Sequence, residues 1–189
     1  MKALVSALIL IACASMARAA PAPAWAVDKA ASSIRFASSL SGAPFSGAFS
    51  RWDADIHFDP ANLGGSSATV TIEVASAATG DADRDQALPT PAFFSVAKFP
   101  RATFTAHAFK NVGGNRYQAL GQLTLRGVTR PLALPFTLVI AGARAHMTAE
   151  VALDRLAFGV GQGGRARPAG TIGRRRGDRT SEQLQDPAS

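Results

Sequence analysis

The chain has 189 residues and a formal net charge of +7, with 20 lysines and arginines against 13 acidic residues. This length accommodates one domain with terminal segments, and 47 % hydrophobic against 17 % charged residues excludes an intrinsically disordered chain. Five of the seven net charges lie on residues 1–19 and 164–189, so residues 20–163 carry only +2. That charge gives no electrostatic basis for binding nucleic acid, and we expect no nucleic-acid partner.

The first 19 residues have the layout of a secretory signal peptide. Lys2 precedes an apolar run over residues 3–14, and an A-x-A cleavage site ends at Ala19. The run is shorter than the roughly 20 residues that span a bilayer. We therefore predict an exported protein, with residues 20–24 as a short Ala/Pro linker.

Cys13 is the single cysteine and follows Leu-Ile-Ala, as in a bacterial lipobox. Cleavage before Cys13 would leave a signal of only 12 residues, so we predict cleavage after Ala19 instead of lipoprotein anchoring at Cys13. The mature chain then has no cysteine. This excludes disulfides, thiol catalysis and cysteine-based metal sites.

Most of residues 33–74 alternate between apolar and polar side chains, which predicts strands with one buried face. Ile34 and Phe36 mark the first strand. Residues 44–58 are predicted to form one long bent strand. Val70 and Ile72 lie on the apolar side of the next strand.

A long connection over residues 75–101 interrupts the strands. Acidic residues open a predicted short helix, as favoured at a helix N-terminus: Asp81, Asp83 and Asp85. A second short helix is predicted from Thr90 to Ala97. Phenylalanines give this helical excursion, at about residues 81–98, an apolar underside that predicts either a lid or a structural plug.

Alternation resumes over residues 102–106, 117–125, 132–140 and 145–153. Turn residues such as Gly113-Gly114-Asn115 separate these runs. Seven strands joined mostly by short antiparallel links favour a meander or an up-and-down barrel.

The motifs that would carry chemistry are incomplete. Residues 159–164 read G-x-G-x-x-G, but no helical pattern follows them, as a dinucleotide site requires. An EF-hand loop beginning at Asp81 would need Gly and Glu where Gln86 and Ala92 stand. The three histidines, His57, His107 and His146, lie on polar strand positions without a ligand constellation. We therefore expect no cofactor, no metal and no enzymatic activity.

The order of short motifs resembles the YceI-like family of polyisoprenoid-binding proteins. The blocks that carry the resemblance span residues 25–163 and read WAVD and SIRF, FSGAF, IHFDP, TG with RD, FFSVAKFP with ATF, GQLTLRGVTRP, and FGVGQG. Each block is weak by itself, but the set in this order is specific.

The resemblance implies an all-β, antiparallel, eight-stranded lipocalin-like barrel in the periplasm, with an apolar pore that holds an isoprenoid lipid of quinone or polyprenyl type. Strand alternation assigns the pore lining to Phe36, Phe45, Phe49, Phe58, Val70, Ile72, Phe104, Leu123, Phe136 and Leu138. The lid is assigned to Phe93, Phe94 and Phe99. Many small residues on apolar positions favour spare interior volume, or else fit a tight core.

The sequence departs from the family pattern in two places. Ser38, Ser39 and Leu40 stand near the position where many members have a histidine. Residues 164–189 hold six arginines and no alternating run, so the last strand is missing or altered; we interpret this tail as disordered or as the product of a reading-frame change. A barrel open in this way predicts exposed edges, and with them either a poorly soluble protein or a homodimer. The arginine-rich tail predicts weak contact with anionic membranes.

The main interpretation is therefore a periplasmic carrier of an isoprenoid lipid. The alternative is a non-enzymatic envelope stress or interaction protein with a filled barrel and no lipid. A third hypothesis is a hydrolase that uses the acidic residues of the helical excursion.

Overall fold

The computed structural model describes residues 21–40, 42–161 and 171–172. The predicted signal peptide, Cys13 and the arginine-rich tail, apart from Thr171 and Ile172, lie outside these residues.

The described residues form twelve β-strands and one α-helix. The strands are β1 (Ala24–Trp25), β2 (Ile34–Leu40), β3 (Ala43–Phe49), β4 (Trp52–His57), β5 (Ser67–Glu73), β6 (Ala77–Ala78), β7 (Arg101–Gly113), β8 (Arg116–Leu125), β9 (Val128–Ala141), β10 (Arg144–Ala149), β11 (Leu153–Asp154) and β12 (Thr171–Ile172). The helix is α1 (Ala82–Ala87), and 3₁₀ turns occupy Leu63–Gly65, Val74–Ser76 and Arg155–Phe158. None of the helices in this part of the chain is long and apolar enough to cross a bilayer.

The strands form three antiparallel sheets. The main sheet has seven strands in the order β1-β4-β5-β7-β8-β9-β10 and curls into a half-barrel. A second sheet has the order β2-β3-β6, and β11 pairs with β12 in a third. The prediction of an all-β, antiparallel barrel-like fold is confirmed, with a slightly different number of strands.

The long bent strand predicted over residues 44–58 is wrong in detail. The chain breaks at Ser50 and Arg51, so that β3 belongs to the second sheet and β4 to the main sheet. The break is held by Ser76, which accepts the Ser50 amide at its carbonyl (3.2 Å) and the Arg51 amide at its hydroxyl (3.0 Å). Hydrogen bonds to the turn at Ser76 therefore replace the pairing with a neighbouring strand at Ser50 and Arg51.

The helical excursion is shorter than predicted. α1 begins after Asp81, whose carboxylate accepts the Arg84 amide at 3.0 Å as an N-cap. The predicted second helix is a series of turns, because Pro89 and Pro91 have no amide donor and Ser95 has a left-handed φ of 52°.

Candidate functional site

One face of the main sheet is apolar at almost every position, and we call it the inner face. Directly opposed residues of an antiparallel pair project to the same side. The register places Phe104 of β7 opposite Val70 of β5 and Leu123 of β8, and Phe104 and Leu123 are buried. The same alternation makes Asp53, Thr71, Thr103 and Gln122 part of the opposite face. The sheet therefore separates an apolar interior from a polar exterior.

The last long strands continue this face. On β9 the inner face comprises Val128, Arg130, Leu132, Leu134, Phe136, Leu138 and Ile140, as the pairing with β8 and β10 shows. On β10 it comprises Ala145, Met147 and Ala149. At about 3.3 Å per residue, the apolar row from Leu132 to Ile140 is about 26 Å long. This length is that of an extended groove.

A β-bulge changes the inner face in the middle of β7. Ala106 pairs with Gly121, but Ala108 pairs with Leu120, so His107 is the extra residue. Beyond the bulge Phe109 turns inward, opposite Ala119. Simple alternation assigns Phe109 to the outer face, and no feature of the sequence marks the bulge.

Four aromatic rings close one end of the interior; we call them the aromatic cluster. Phe58 lies 5.4 Å from Phe109, 5.4 Å from Tyr117 and 5.7 Å from Phe136, each in an edge-to-face arrangement. Tyr117 and Phe136 stack at 5.4 Å. The Trp25 indole donates to the Phe58 carbonyl at 2.9 Å and so ties β1 to this end. Phe58 and Phe136 were in the predicted pore lining. Tyr117 was missed, although it lies on the same face of β8 as Leu123.

The inner face is open next to the aromatic cluster, where Leu138 follows Phe136 on β9 and Met147 lies opposite Leu138 on β10. Ile140 is 39 % exposed and Met147 is 50 % exposed, although both lie on the inner face. Leu132, Leu134 and Leu138 are half-buried and pack against the core. Within the described residues, apolar surface thus remains accessible along β9 and β10, beside the packed aromatic cluster.

The second sheet supplies another part of the predicted lining. Phe36 and Phe49 lie 5.1 Å apart. Gly47 permits this packing, because a Cβ there would overlap the Phe36 ring and lie 2.6 Å from the Ala78 carbonyl oxygen. Phe45 lies under the Arg84 guanidinium at 5.2 Å. The remaining predicted residues, Val70, Ile72, Phe104, Leu123 and Leu138, lie on the inner face of the main sheet.

The three residues assigned to a lid are separated in the structure. Phe94 is buried and its ring lies 6.2 Å from that of Phe49. Phe99 packs over the β8–β9 hairpin, where a Cβ on Gly127 would lie 2.5 Å from its ring. Phe93 is half-buried. Only Phe94 of the three belongs to the buried core.

A second concavity of about 440 Å³ lies outside the half-barrel. Its lining is mixed polar and apolar: Glu73, Ala75, Lys98, Phe99, Pro100, Arg101, Thr124 and Gly127. Arg101 pairs with Glu73 in register, and Thr124 pairs with Thr103, which places these residues on the outer face. This depression is therefore distinct from the apolar interior.

The acidic residues of the helical excursion have structural partners. The Asp85 carboxylate accepts the amide and the hydroxyl of Thr79 at 2.7 and 2.8 Å, and these bonds lower the pKa of Asp85. Asp81 caps α1 and pairs with Arg84 at 3.3 Å. Among the described residues, no group of three or more His, Asp or Glu side chains could hold a metal ion. These contacts give Asp81 and Asp85 structural roles at the start of α1.

The fold and the apolar interior define a lipocalin-like half-barrel. The family model of the YceI-like domain matches residues 25–175. The chain therefore belongs to the YceI-like family. The match reaches beyond the last motif block at residue 163 and includes β12.

Individual relatives agree with this assignment. Protein YceI of Salmonella arizonae is 40 % identical over 96 residues, which are 51 % of this chain and 50 % of the relative. The chain thus spans about half the length of the curated relatives it matches. The crystal structure of Burkholderia cenocepacia BcnA is 34 % identical and has a TM-score of 0.70, covering 73 % of this chain and 87 % of that one. A polyisoprenoid binding domain from Saccharophagus degradans has a TM-score of 0.54 at 16 % identity, covering 68 % and 76 %, and shows the likeness of fold.

Proposed function

We propose that this protein binds an isoprenoid lipid, of quinone or polyprenyl type, along the inner face of its half-barrel. The observation that carries the proposal is the open apolar row on β9 and β10, where Ile140 and Met147 stay exposed on the inner face. Burial of each CH₂ group contributes about 0.8 kcal/mol. A prenyl chain along this row therefore needs few polar contacts.

Membership of the YceI-like family and the fold shared with a polyisoprenoid binding domain support this proposal. The function is binding and transport of the lipid without chemical change. The signal-peptide pattern of residues 1–19 supports a periplasmic location for this carrier. Cell fractionation and mass measurement of the mature N-terminus test that location, and we expect a chain beginning at Ala20.

The ligand is tested by purifying the full-length protein from its own cells without denaturant, followed by native mass spectrometry and solvent extraction. We expect an extra mass of one lipid per chain, with a fragmentation series spaced by isoprene units. A protein without bound lipid that also fails to take up geranylgeraniol would contradict the carrier function. That result would favour a partner protein with a filled barrel.

A further inference from the structure

Three arginines surround one turn at the end of the half-barrel; we call them the arginine cluster. Each guanidinium donates to a main-chain carbonyl of residues 157–161: Arg126 to Gly159, Arg130 to Ala157 at 2.9 Å, and Arg155 to Val160 at 2.9 Å. These carbonyls lie at the end of the short 3₁₀ helix Arg155–Phe158 and just after it, where the last carbonyls of a helix lack partners within the helix. The turn thus gathers three positive charges in a small volume.

No ion pair joins the arginine cluster to an acidic side chain among the described residues. The ion pairs found there join Lys29 to Asp53, Arg51 to Glu73, His57 to Asp55 and Arg84 to Asp81. Carbonyl dipoles satisfy some donors of the cluster but leave its net charge in place. The Nε of Arg126 is buried and has no acceptor among these residues. The cluster is therefore electrostatically prepared for an anion.

Arg130 connects this charge to the apolar interior. It lies on the inner face opposite Leu123, and its guanidinium is 6.0 Å from the Phe158 ring. Its Nε bonds to Ala157, while the structure shows no acceptor for its two terminal nitrogens among the described residues. The side chain is exposed. A guanidinium with free terminal donors binds a phosphate or carboxylate through two parallel hydrogen bonds.

The same strand then offers only apolar positions on this face. Leu132, Leu134, Phe136, Leu138 and Ile140 follow Arg130 at every second residue. A cation at the start of an apolar row of about 26 Å matches the chemistry of an amphiphile with an anionic head and a long apolar tail.

We propose that the arginine cluster, through Arg130, binds the anionic head group, a phosphate or diphosphate, of the isoprenoid lipid. This inference rests on the proposed function, because it assigns the head-group end of the same site. The tail then runs along β9 toward Ile140 and Met147.

The test compares three probes on the full-length protein: geranylgeranyl phosphate, geranylgeraniol and inorganic phosphate. We expect geranylgeranyl phosphate to bind at least about tenfold more tightly than the alcohol at low salt, with a preference that weakens as salt is added. Arg130→Gln should weaken binding of geranylgeranyl phosphate much more than binding of the alcohol, and so remove the preference. Arg130→Lys should retain part of it. Arg144 is an exposed arginine at the start of β10, opposite the far end of β9 from Arg130. Arg144→Gln is therefore the control and should behave as wild type.

Equal affinities for phosphate and alcohol, unaffected by Arg130→Gln, would overturn the anionic site and leave the proposed function intact. Failure of both lipids to bind would contradict the proposed function and this inference with it. Inorganic phosphate binding as tightly as the lipid phosphate would show a site for the free anion and overturn the assignment to a lipid head group.

Discussion

The Thr79 amide and hydroxyl both donate to the same carboxylate oxygen of Asp85, at 2.7 and 2.8 Å. The Gly80 amide donates to the other oxygen at 3.3 Å. These bonds fold the start of α1 back onto the end of β6. An acidic residue that the sequence offers for catalysis is thereby fully engaged in holding the helical excursion to the barrel.

This relationship predicts how stability depends on pH. The Thr79 side-chain hydrogen bond is the largest cause of a lowered pKa of Asp85 in the folded protein, compared with about 3.9 in unfolded chains. Asp85 therefore stabilises the fold above pH 4, and the contribution disappears as the pH falls through the lowered pKa. We expect Asp85→Asn to lower the free energy of unfolding at pH 7, with the difference from wild type shrinking below pH 4 in urea titrations. Asp83→Asn, on the same helix and exposed, is the control. A pH-independent loss in Asp85→Asn would contradict this explanation.

Gly121 is predicted to be a position where even the methyl side chain of alanine destabilises the fold. A Cβ at this position would overlap the Thr105 carbonyl oxygen and lie 2.8 Å from the Ala106 Cα, because the bulge at His107 brings β7 close. We expect Gly121→Ala to destabilise the protein by about 1–3 kcal/mol in chemical denaturation. Gly64→Ala is the matched control, since nothing lies within 4 Å of a Cβ there. Equal stabilities of Gly121→Ala and Gly64→Ala would show that β7 and β8 accommodate the methyl group without a loss of folding free energy.

Arg126 is predicted to hold the helical excursion against the end of the barrel. It occupies a left-handed position (φ 51°) in the β8–β9 hairpin and donates to the carbonyls of both Pro91 and Gly159. We expect Arg126→Met to cost about 1.5–3 kcal/mol, the usual range for hydrogen bonds from charged groups. Amide hydrogen exchange over residues 90–96 should accelerate more than exchange in β8. Arg116→Met, at an exposed position of β8, is the control. Unchanged exchange over residues 90–96 would argue against this role.

Met147 and Val139 form a matched pair for the binding face. They are 50 % and 51 % exposed, but Met147 lies on the inner face and Val139 on the outer face. We expect Met147→Gln to weaken binding of geranylgeraniol by roughly tenfold, because it removes apolar contact area from the lipid. Val139→Gln should leave the affinity unchanged in the same titration. Equal effects of the two substitutions would place the lipid elsewhere.

Period-2 alternation was sufficient to predict most of the long strands. The predicted row from Leu132 to Ile140 appears in the structure as the inner face of β9. The family resemblance added the expectation of a closed barrel, which alternation alone does not give. What escaped prediction depended on contacts between distant segments.

The break between β3 and β4 illustrates this limit, since it is held by Ser76, 25 residues from Arg51. Phe109 is on the inner face only because one residue bulges out of β7. The arginine cluster was missed for a similar reason: Arg126, Arg130 and Arg155 meet only when residues 155–161 fold against the β8–β9 hairpin.

The most direct test of the account is to map where an isoprenoid chain contacts the protein. A farnesyl probe with a photoreactive diazirine is bound and irradiated, and the labelled residues are identified by peptide mass spectrometry with excess geranylgeraniol as competitor. Lipid binding on the inner face predicts competed labelling at Leu132, Leu134 and Met147, with none at the outer-face residues Ala133 and Val139. Labelling that is equal on both sets of residues, or that persists under competition, would contradict an isoprenoid site inside the half-barrel.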